Sequence, residues 1–442
     1  MNNLKNLAKL KTIGFIITNS TSTLYQNIYG ETDKINLKSP FILGSVSKSF
    51  TALALLHLNI NLNQVIDKFD LSDYIDEDDA KDITISQLLS HTSGLDSFSS
   101  RRLYKKGEYH YSNYGFALLG KIIEKQSGTS YEDYVKKTIF KPLNMSNSYA
   151  KINDNIVNSY DNFFGFTTKH KDIESETDNG FYIPAGFISS SVEDMGNYLR
   201  FYLRKDPEAQ KYIKQMTTGN IETKYNQKYG MGMMIKQIFN YTIYFHGGAT
   251  QSFLCNLVIY PDLDIGFFIV TNTHDNLCSS PASQLFTNIE NYLIYNSYEE
   301  IDGYKCFLTH FTCDILILIS LALPIIYLII TIIRKIKCKK YLWLNGIKGK
   351  VFFGIDIFIL VIVPLVLIIF LYTFDANKKI NIEYIKDLQL WLFASSSILF
   401  FIFFIKLIYI ILYNKCLYKY SDDNIKRLST LSEDLKDNLN NN

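Results

Sequence analysis

Two serines in this chain stand three residues before a lysine, and only one of them opens an apolar helical pattern. Ser45-Val-Ser-Lys48 leads into a run whose apolar residues recur at three- and four-residue spacing over 46–58. Ser45 and Lys48 therefore share a helix face, with the serine at the helix start. A serine hydroxyl is inert until a neighbour takes its proton. A desolvated lysine can do so, and a helix N-terminus favours the negative charge that develops. The alternative role for such a serine is a helix cap. Ser148-Tyr-Ala-Lys151 has the same spacing but no apolar helix after it.

Tyr111-Ser-Asn113 precedes a second helical pattern at 114–124, which puts a phenol and an amide at another helix entrance. A phenol with a pKa near 10 becomes a useful base only beside a cation such as Lys48. His246-Gly247-Gly248 ends a strand pattern at 242–245, and glycines there allow a substrate or another backbone to approach the strand closely. His91, in Leu88-Leu-Ser-His-Thr-Ser-Gly-Leu95, reads as a residue that fixes its loop by hydrogen bonds. Asp67, Asp70, Asp73, Asp76, Asp78 and Asp79 lack the spacing and glycine of a calcium loop and read as a solvated face. With no CxxC, Walker loop, GxGxxG or HExxH, neither a metal nor a cofactor is expected.

The elements that must position these groups follow from hydrophobic period. Apolar alternation over 12–18 and 23–29, split by Asn19-Ser-Thr-Ser22, predicts a hairpin. Helical spacing follows at 83–89, 114–124, 131–139 and 192–203, strand patterns return at 242–245, 253–260 and 265–271, and an amphipathic stretch covers 282–294. Strands at both ends with helices between them predict an α+β fold. One antiparallel sheet, its terminal segments paired, is flanked by helices and carries an all-helical insertion.

Ser45-x-x-Lys48, Tyr111-x-Asn113 and His246-x-Gly248, in this order, resemble the three active-site motifs of the serine β-lactamase and penicillin-binding-protein superfamily. LLSHTSGL, YSNYGFALLGKIIEKQSGTSYEDYV, KPLNM, PAGFISSSVEDM, YGMGM and HGGATQSFLCNLVIYPDLDIGFFIVTN narrow the resemblance to its class C-like branch, over residues 12–295. That branch also holds D-alanyl-D-alanine carboxypeptidases, D-aminopeptidases and esterases. The resemblance implies a β-lactamase/transpeptidase-like fold in which Ser45 forms an acyl-enzyme and Lys48 and Tyr111 share its proton. It further implies that Asn113 binds the substrate amide and that the backbone N–H groups of Ser45 and of Ala249, after Gly248, hold the oxyanion. Tyr-x-Asn in place of Ser-Asp-Asn, with no Glu-x-x-Leu-Asn loop, points to deacylation through Tyr111. Where β-lactamases carry Lys-Thr-Gly this chain has His246-Gly-Gly248, replacing a permanent cation with a group near pKa 6.5. At about 4 Å and an effective dielectric of about 20 that charge is worth on the order of 4 kcal/mol. The exchange counts against strong turnover of β-lactams or D-Ala-D-Ala peptides.

The 442 residues carry a net charge of +2, which is no nucleic-acid footprint. Residues 1–310 hold 29 basic and 33 acidic side chains, whereas 311–442 hold 16 and 10. The second part contains three nearly uncharged apolar stretches, 311–333, 351–373 and 390–413, each long enough to cross a bilayer. The loop 334–350 has seven basic residues and no acid, so it should lie in the cytoplasm and residues 1–310 outside. The expected organisation is a hydrolase domain over 1–300, a linker over 301–310, and a membrane region over 311–442 with a cytoplasmic tail. The start, MNNLKNLAKLKTI, has no apolar core or cleavage site of a signal peptide, so the first span or an upstream segment would have to direct export. The sequence thus predicts a multi-pass, membrane-anchored serine hydrolase acting on an ester or amide, with cell-wall-derived compounds among its candidate substrates. The alternative is a non-catalytic, acylable penicillin-binding sensor linked to its membrane helices. Expected partners are a small-molecule or peptide substrate and the lipid bilayer. Nucleic acid is not expected, and no protein partner follows from the residues.

Overall fold

The structure, a computed structural model, describes residues 10–300 apart from 31–32, 164–165, 171–172, 175–176, 219–220, 224–226 and 275–280. Beyond 300 it describes scattered positions and the helical stretches 393–405 and 423–427. The chain divides into two compact units, Met1–Thr309 and His310–Asn442.

In the first unit the strands are β1 (Thr12–Thr18), β2 (Thr23–Gly30), β3 (Pro40–Ile42), β4 (Tyr160–Phe163), β5 (Phe166–Lys169), β6 (Ser189–Ser191) and β7 (Ile221–Glu222). They continue with β8 (Lys228–Tyr229), β9 (Met234–Ile238), β10 (Tyr241–Ala249), β11 (Leu254–Tyr260), β12 (Ile265–Thr271) and β13 (Thr273–His274). The helices are α1 (Ser47–His57), α2 (Glu77–Asp82), α3 (Ile85–Leu89), α4 (Asn113–Ser127), α5 (Tyr131–Val135), α6 (Val192–Leu203), α7 (Pro207–Thr217) and α8 (Pro281–Tyr295). The main sheet runs β2-β1-β12-β11-β10-β9-β8-β7. Its ends in sequence meet in the middle, where β1 pairs antiparallel with β12 from Ile13↔Thr271 to Thr18↔Gly266.

Side chains alternate across a strand, so the central strands serve two cores at once. Ile13, Phe15, Val258, Phe267 and Ile269 enter a layer shared with Phe286, Ile289 and Leu293 of α8. Ile16, Leu257, Phe268 and Val270 face the larger core, where they join Val192, Met195 and Leu199 of α6 and the helices of the insertion. Burial on both faces explains why 265–271 is almost continuously apolar. Helix α1 is buried all round from Ser47 to Leu56, as befits a helix enclosed on every side.

The insertion is not all helical. It holds β3 paired with β6, and β4 paired antiparallel with β5 on one side and parallel with β13 on the other. Strands of three or four residues are too short to leave a period-two signal. Helix α2 falls in the acidic loop read as a solvated face. Its Asp79 and Asp82 bind Arg102, so part of that charge is paired. Helix α7 also escaped sequence reading. Among the described residues no helix is long and apolar enough to cross a membrane; the expected spans 311–333 and 351–373 lie largely outside those residues, and 390–413 is described in part, with helix over 393–405.

Candidate active site

Ser45 lies in the single turn Gly44–Val46 that feeds α1. That turn is pinned from several sides. Leu43 N–H donates to Ile188 O at 2.9 Å, Ile188 N–H donates to Ser47 Oγ at 3.1 Å, and the Cys255 thiol donates to Leu43 O at 3.0 Å. Strand β10 presses against it so closely that glycine is required on both sides. A Cβ on Gly44, whose φ is +48°, would lie 2.4 Å from Ala249 N, and one on Gly248 would lie 2.0 Å from Leu43 O. The Ala249 amide is thereby held beside the turn that carries Ser45.

Lys48, one turn further on, is fully buried. Its Nζ lies 2.6 Å from Asn113 Oδ1, 2.5 Å from Ala185 O and 3.1 Å from Ser45 Oγ. Burial pushes its pKa well below the ordinary lysine range, because the ammonium form would be stripped of water. A neutral amine has two N–H donors and one lone pair. In the neutral form that burial favours, Asn113 Oδ1 and Ala185 O, which can only accept, take both donors, and the lone pair is left for the Ser45 hydroxyl.

Tyr111 arrives from the segment before α4, whose first turn is capped by Ser112 Oγ accepting from Gly115 N–H at 3.0 Å. Its ring centroid is 4.8 Å from Lys48 Nζ, and it hydrogen-bonds Ser45. Burial drives the phenol far above its ordinary pKa, and the Ser45 bond offsets only part of that. At neutral pH Tyr111 therefore keeps its proton, and of the two shared bases Lys48 is the one free to accept. An open groove of about 950 Å³ runs beside Tyr111, lined by Ser97, Tyr109, Glu222, Gln227 and Met234.

His246 reaches the site but is not a solvated switch near pKa 6.5. It is buried, with Nδ1 2.7 Å from Gly247 O and Nε2 3.2 Å from the Tyr229 hydroxyl. Burial first, and then the nearby Lys48, lower its pKa to about 4. The sequence expectation of a group that titrates near neutrality is corrected: a buried ring with both nitrogens engaged has no water to stabilise its cation.

The second serine–lysine pair falls apart. Ser148 donates to Asp194 Oδ2 at 2.7 Å and sits 2.8 Å from Ser190 Oγ, while Lys151 is exposed and paired with Glu132 at 2.8 Å. Several residues of the site escaped sequence reading. Gly44 carries no motif of its own, and Ala185 and Tyr229 stood only inside PAGFISSSVEDM and YGMGM. The one available signal was a glycine directly before the candidate serine.

A sequence model of the family described as Beta-lactamase matches residues 2–280, and the chain belongs to this family, whose members are serine hydrolases. It is 26% identical over 309 residues to Protein flp of Staphylococcus aureus (strain MRSA252), covering 61% of this chain and 60% of that protein. The chain thus spans about 60% of the length of that curated relative. Among solved structures it resembles the octameric penicillin-binding protein homologue from Pyrococcus abyssi, with a TM-score of 0.56 and 23% identity over 68% of this chain and 77% of that one. It also resembles a D-stereospecific amidohydrolase from a Streptomyces species, with a TM-score of 0.52 and 18% identity over 67% of this chain and 98% of that one.

Proposed function

We propose that this chain is a membrane-anchored hydrolase that cleaves an ester or amide through an acyl group on Ser45. The observation that carries this reading is a buried lysine whose Nζ lies 3.1 Å from Ser45 Oγ and is bonded on its other sides by Asn113 Oδ1 and Ala185 O. Lys48 Nζ takes the hydroxyl proton as Oγ attacks the substrate carbonyl. The backbone N–H groups of Ser45 and Ala249 receive the oxyanion, with Gly248 leaving room for the substrate backbone and Asn113 binding its amide. Tyr111, still protonated, donates to the departing amine or alkoxide. In the second half a water is deprotonated by the resulting phenolate, and Ser45 recovers its proton through Lys48. Kinship with a D-stereospecific amidohydrolase and a penicillin-binding protein homologue supports acyl transfer of this class, with cell-wall-derived compounds among the substrates.

Anchoring is supported by the described positions beyond 307, where Leu308, Phe311, Leu318, Ile329, Phe401 and Ile411 are among the large apolar side chains left exposed. With basic residues concentrated in 334–350, the hydrolase domain would face outward. A cysteine introduced at Lys379 should then react with an impermeant thiol reagent on intact cells, and one within 340–348 only after lysis. The reverse pattern would place the domain in the cytoplasm. For the chemistry, the purified full-length chain is treated with a fluorophosphonate and then with activated esters. One label per chain on Ser45 and repeated turnover are expected. A single stable acyl equivalent would favour the sensor reading instead, and label elsewhere would remove both.

A further inference from the structure

Two buried histidines and a buried tyrosine form an unbroken line behind the site. Ser112 N–H donates to His91 Nδ1 at 3.1 Å, His91 Nε2 lies 3.1 Å from the Tyr229 hydroxyl, that hydroxyl lies 3.2 Å from His246 Nε2, and His246 Nδ1 lies 2.7 Å from Gly247 O. Both ends are backbone groups with one possible role each, since an N–H only donates and a carbonyl only accepts. His91 Nδ1 must therefore be bare and its Nε2 protonated, and His246 Nδ1 must carry a proton. With the His246 ring neutral, its Nε2 accepts, the hydroxyl between the rings accepts from His91 and donates to His246, and the line has a single direction.

We infer that His91 and Tyr229 are positioning residues that lock His246 as the neutral Nδ1–H tautomer, so that this wall of the site selects substrates without a carboxylate beside the scissile bond. Protonating His246 on Nε2 would make the Tyr229 oxygen accept from both rings and deprive its O–H of the acceptor it now has, and protonating His91 on Nδ1 would set it against the Ser112 amide. Acid thus cannot restore the missing cation without breaking the line. The groups facing the two rings give no help: His246 meets Lys48, Tyr111 and Tyr229, and His91 meets Tyr109, Tyr111, Phe116 and Tyr229, with Lys48 and His110 nearby. No carboxylate stands among them to stabilise an imidazolium. The same line holds Gly247 O, and with it the β10 edge leading to Gly248 and Ala249.

The inference rests on the hydrolase reading for its consequence in selectivity but not for the tautomers, so two measurements separate them. In the full-length chain labelled with ¹⁵N-histidine, long-range ¹H–¹⁵N spectra at pH 7 should show His246 as Nδ1–H and His91 as Nε2–H. Free imidazole side chains favour Nε2–H, so the first assignment is distinctive. His246 found as Nε2–H, or as a cation at pH 6, would overturn the inference whatever the enzyme does. Second, kcat/KM is compared for a neutral activated ester and its carboxylate-bearing analogue between pH 8 and pH 5. The ratio should stay constant within about twofold in the wild type. In Tyr229→Phe, which frees His246 Nε2, it should fall at least fivefold toward pH 5 as His246 titrates. A wild-type ratio that already falls with acid would overturn the inference, and the wild-type arms need no variant to fold. Absence of any ester turnover with the tautomers as stated would remove the hydrolase reading and the selectivity claim, leaving only the lock.

Discussion

Ser45 and Ser148 each precede a lysine by three residues, yet the protein places them in opposite surroundings. Ser45 stands at the mouth of a helix buried on all sides, against a lysine whose pKa burial pushes well down. Ser148 points into a network closed by Asp194, and its lysine lies out in solvent on a salt bridge. The difference shows what makes a serine reactive. Spacing sets who can be neighbours, but desolvation decides whether the neighbour is a base or a cation. The two regions also hold opposite charge biases. Around Ser45 the cationic forms of Lys48, His91 and His246 are disfavoured, and around Ser148 burial raises the pKa of Asp194.

The sharpest break of this comparison is a pair of serine substitutions. Ser45→Ala should abolish covalent labelling by a fluorophosphonate, and Ser148→Ala should leave it intact in whatever fraction folds. Mass spectrometry of the labelled peptide decides between them. The lysines should differ nearly as much: Lys48→Ala should slow acylation by roughly 10²–10⁴-fold, the usual worth of a general base, while Lys151→Ala should change it little. Labelling by an uncharged probe should also climb far less than the about 100-fold that a lysine with an ordinary pKa would give between pH 7.5 and 9.5, because burial lowers the Lys48 pKa.

Acid should separate the two regions by stability. His246 has its folded pKa lowered to about 4 from 6.5, so its contribution is fully present above pH 6.5 and is lost as the pH falls toward 4. That loss is on the order of 3 kcal/mol, and His91 adds to it in the same direction. Asp194, with its pKa raised, works the other way: protonation favours the folded form as pH falls. Urea midpoints of wild type and His246→Gln between pH 7 and 4.5 test this, and the wild type should show the steeper decline. The smallest effect belongs to the inert serine. Ser148→Ala leaves the buried Asp194 short of one donor and should cost about 1–3 kcal/mol, against less than about 1 kcal/mol for Lys151→Ala at an exposed ion pair. Equal costs would mean that the Ser148 network is not what sets the two copies apart.

Much of the frame was legible without coordinates. Period-two alternation located β1, β2, β11 and β12, and three- to four-residue spacing located α1, α4, α6 and α8, because each buries one or both faces against a large core. The short ladders β3/β6 and β4/β5, and the short helix α2, were invisible, since so few residues show no period.

For the site, sequence alone determined which groups were candidates: Ser45, Lys48, Tyr111, Asn113 and the His246–Ala249 strand end, through their order and their place at element joins. Spacing alone did not rank Ser45 over Ser148, though the apolar helix after Ser45 did, and the sequence could not say what surrounds each lysine. Only the tertiary structure decided that, and it matters because a pKa depends on how much water is excluded and on which acceptors are already filled. Ala185 O and Asn113 Oδ1, brought from 137 and 65 residues away, fill the donors of Lys48. Tyr229 and His91 do the same for His246 from other parts of the chain. Contacts of that range leave no periodic trace in a sequence, which is why its chemistry could be named there but its protonation states could not.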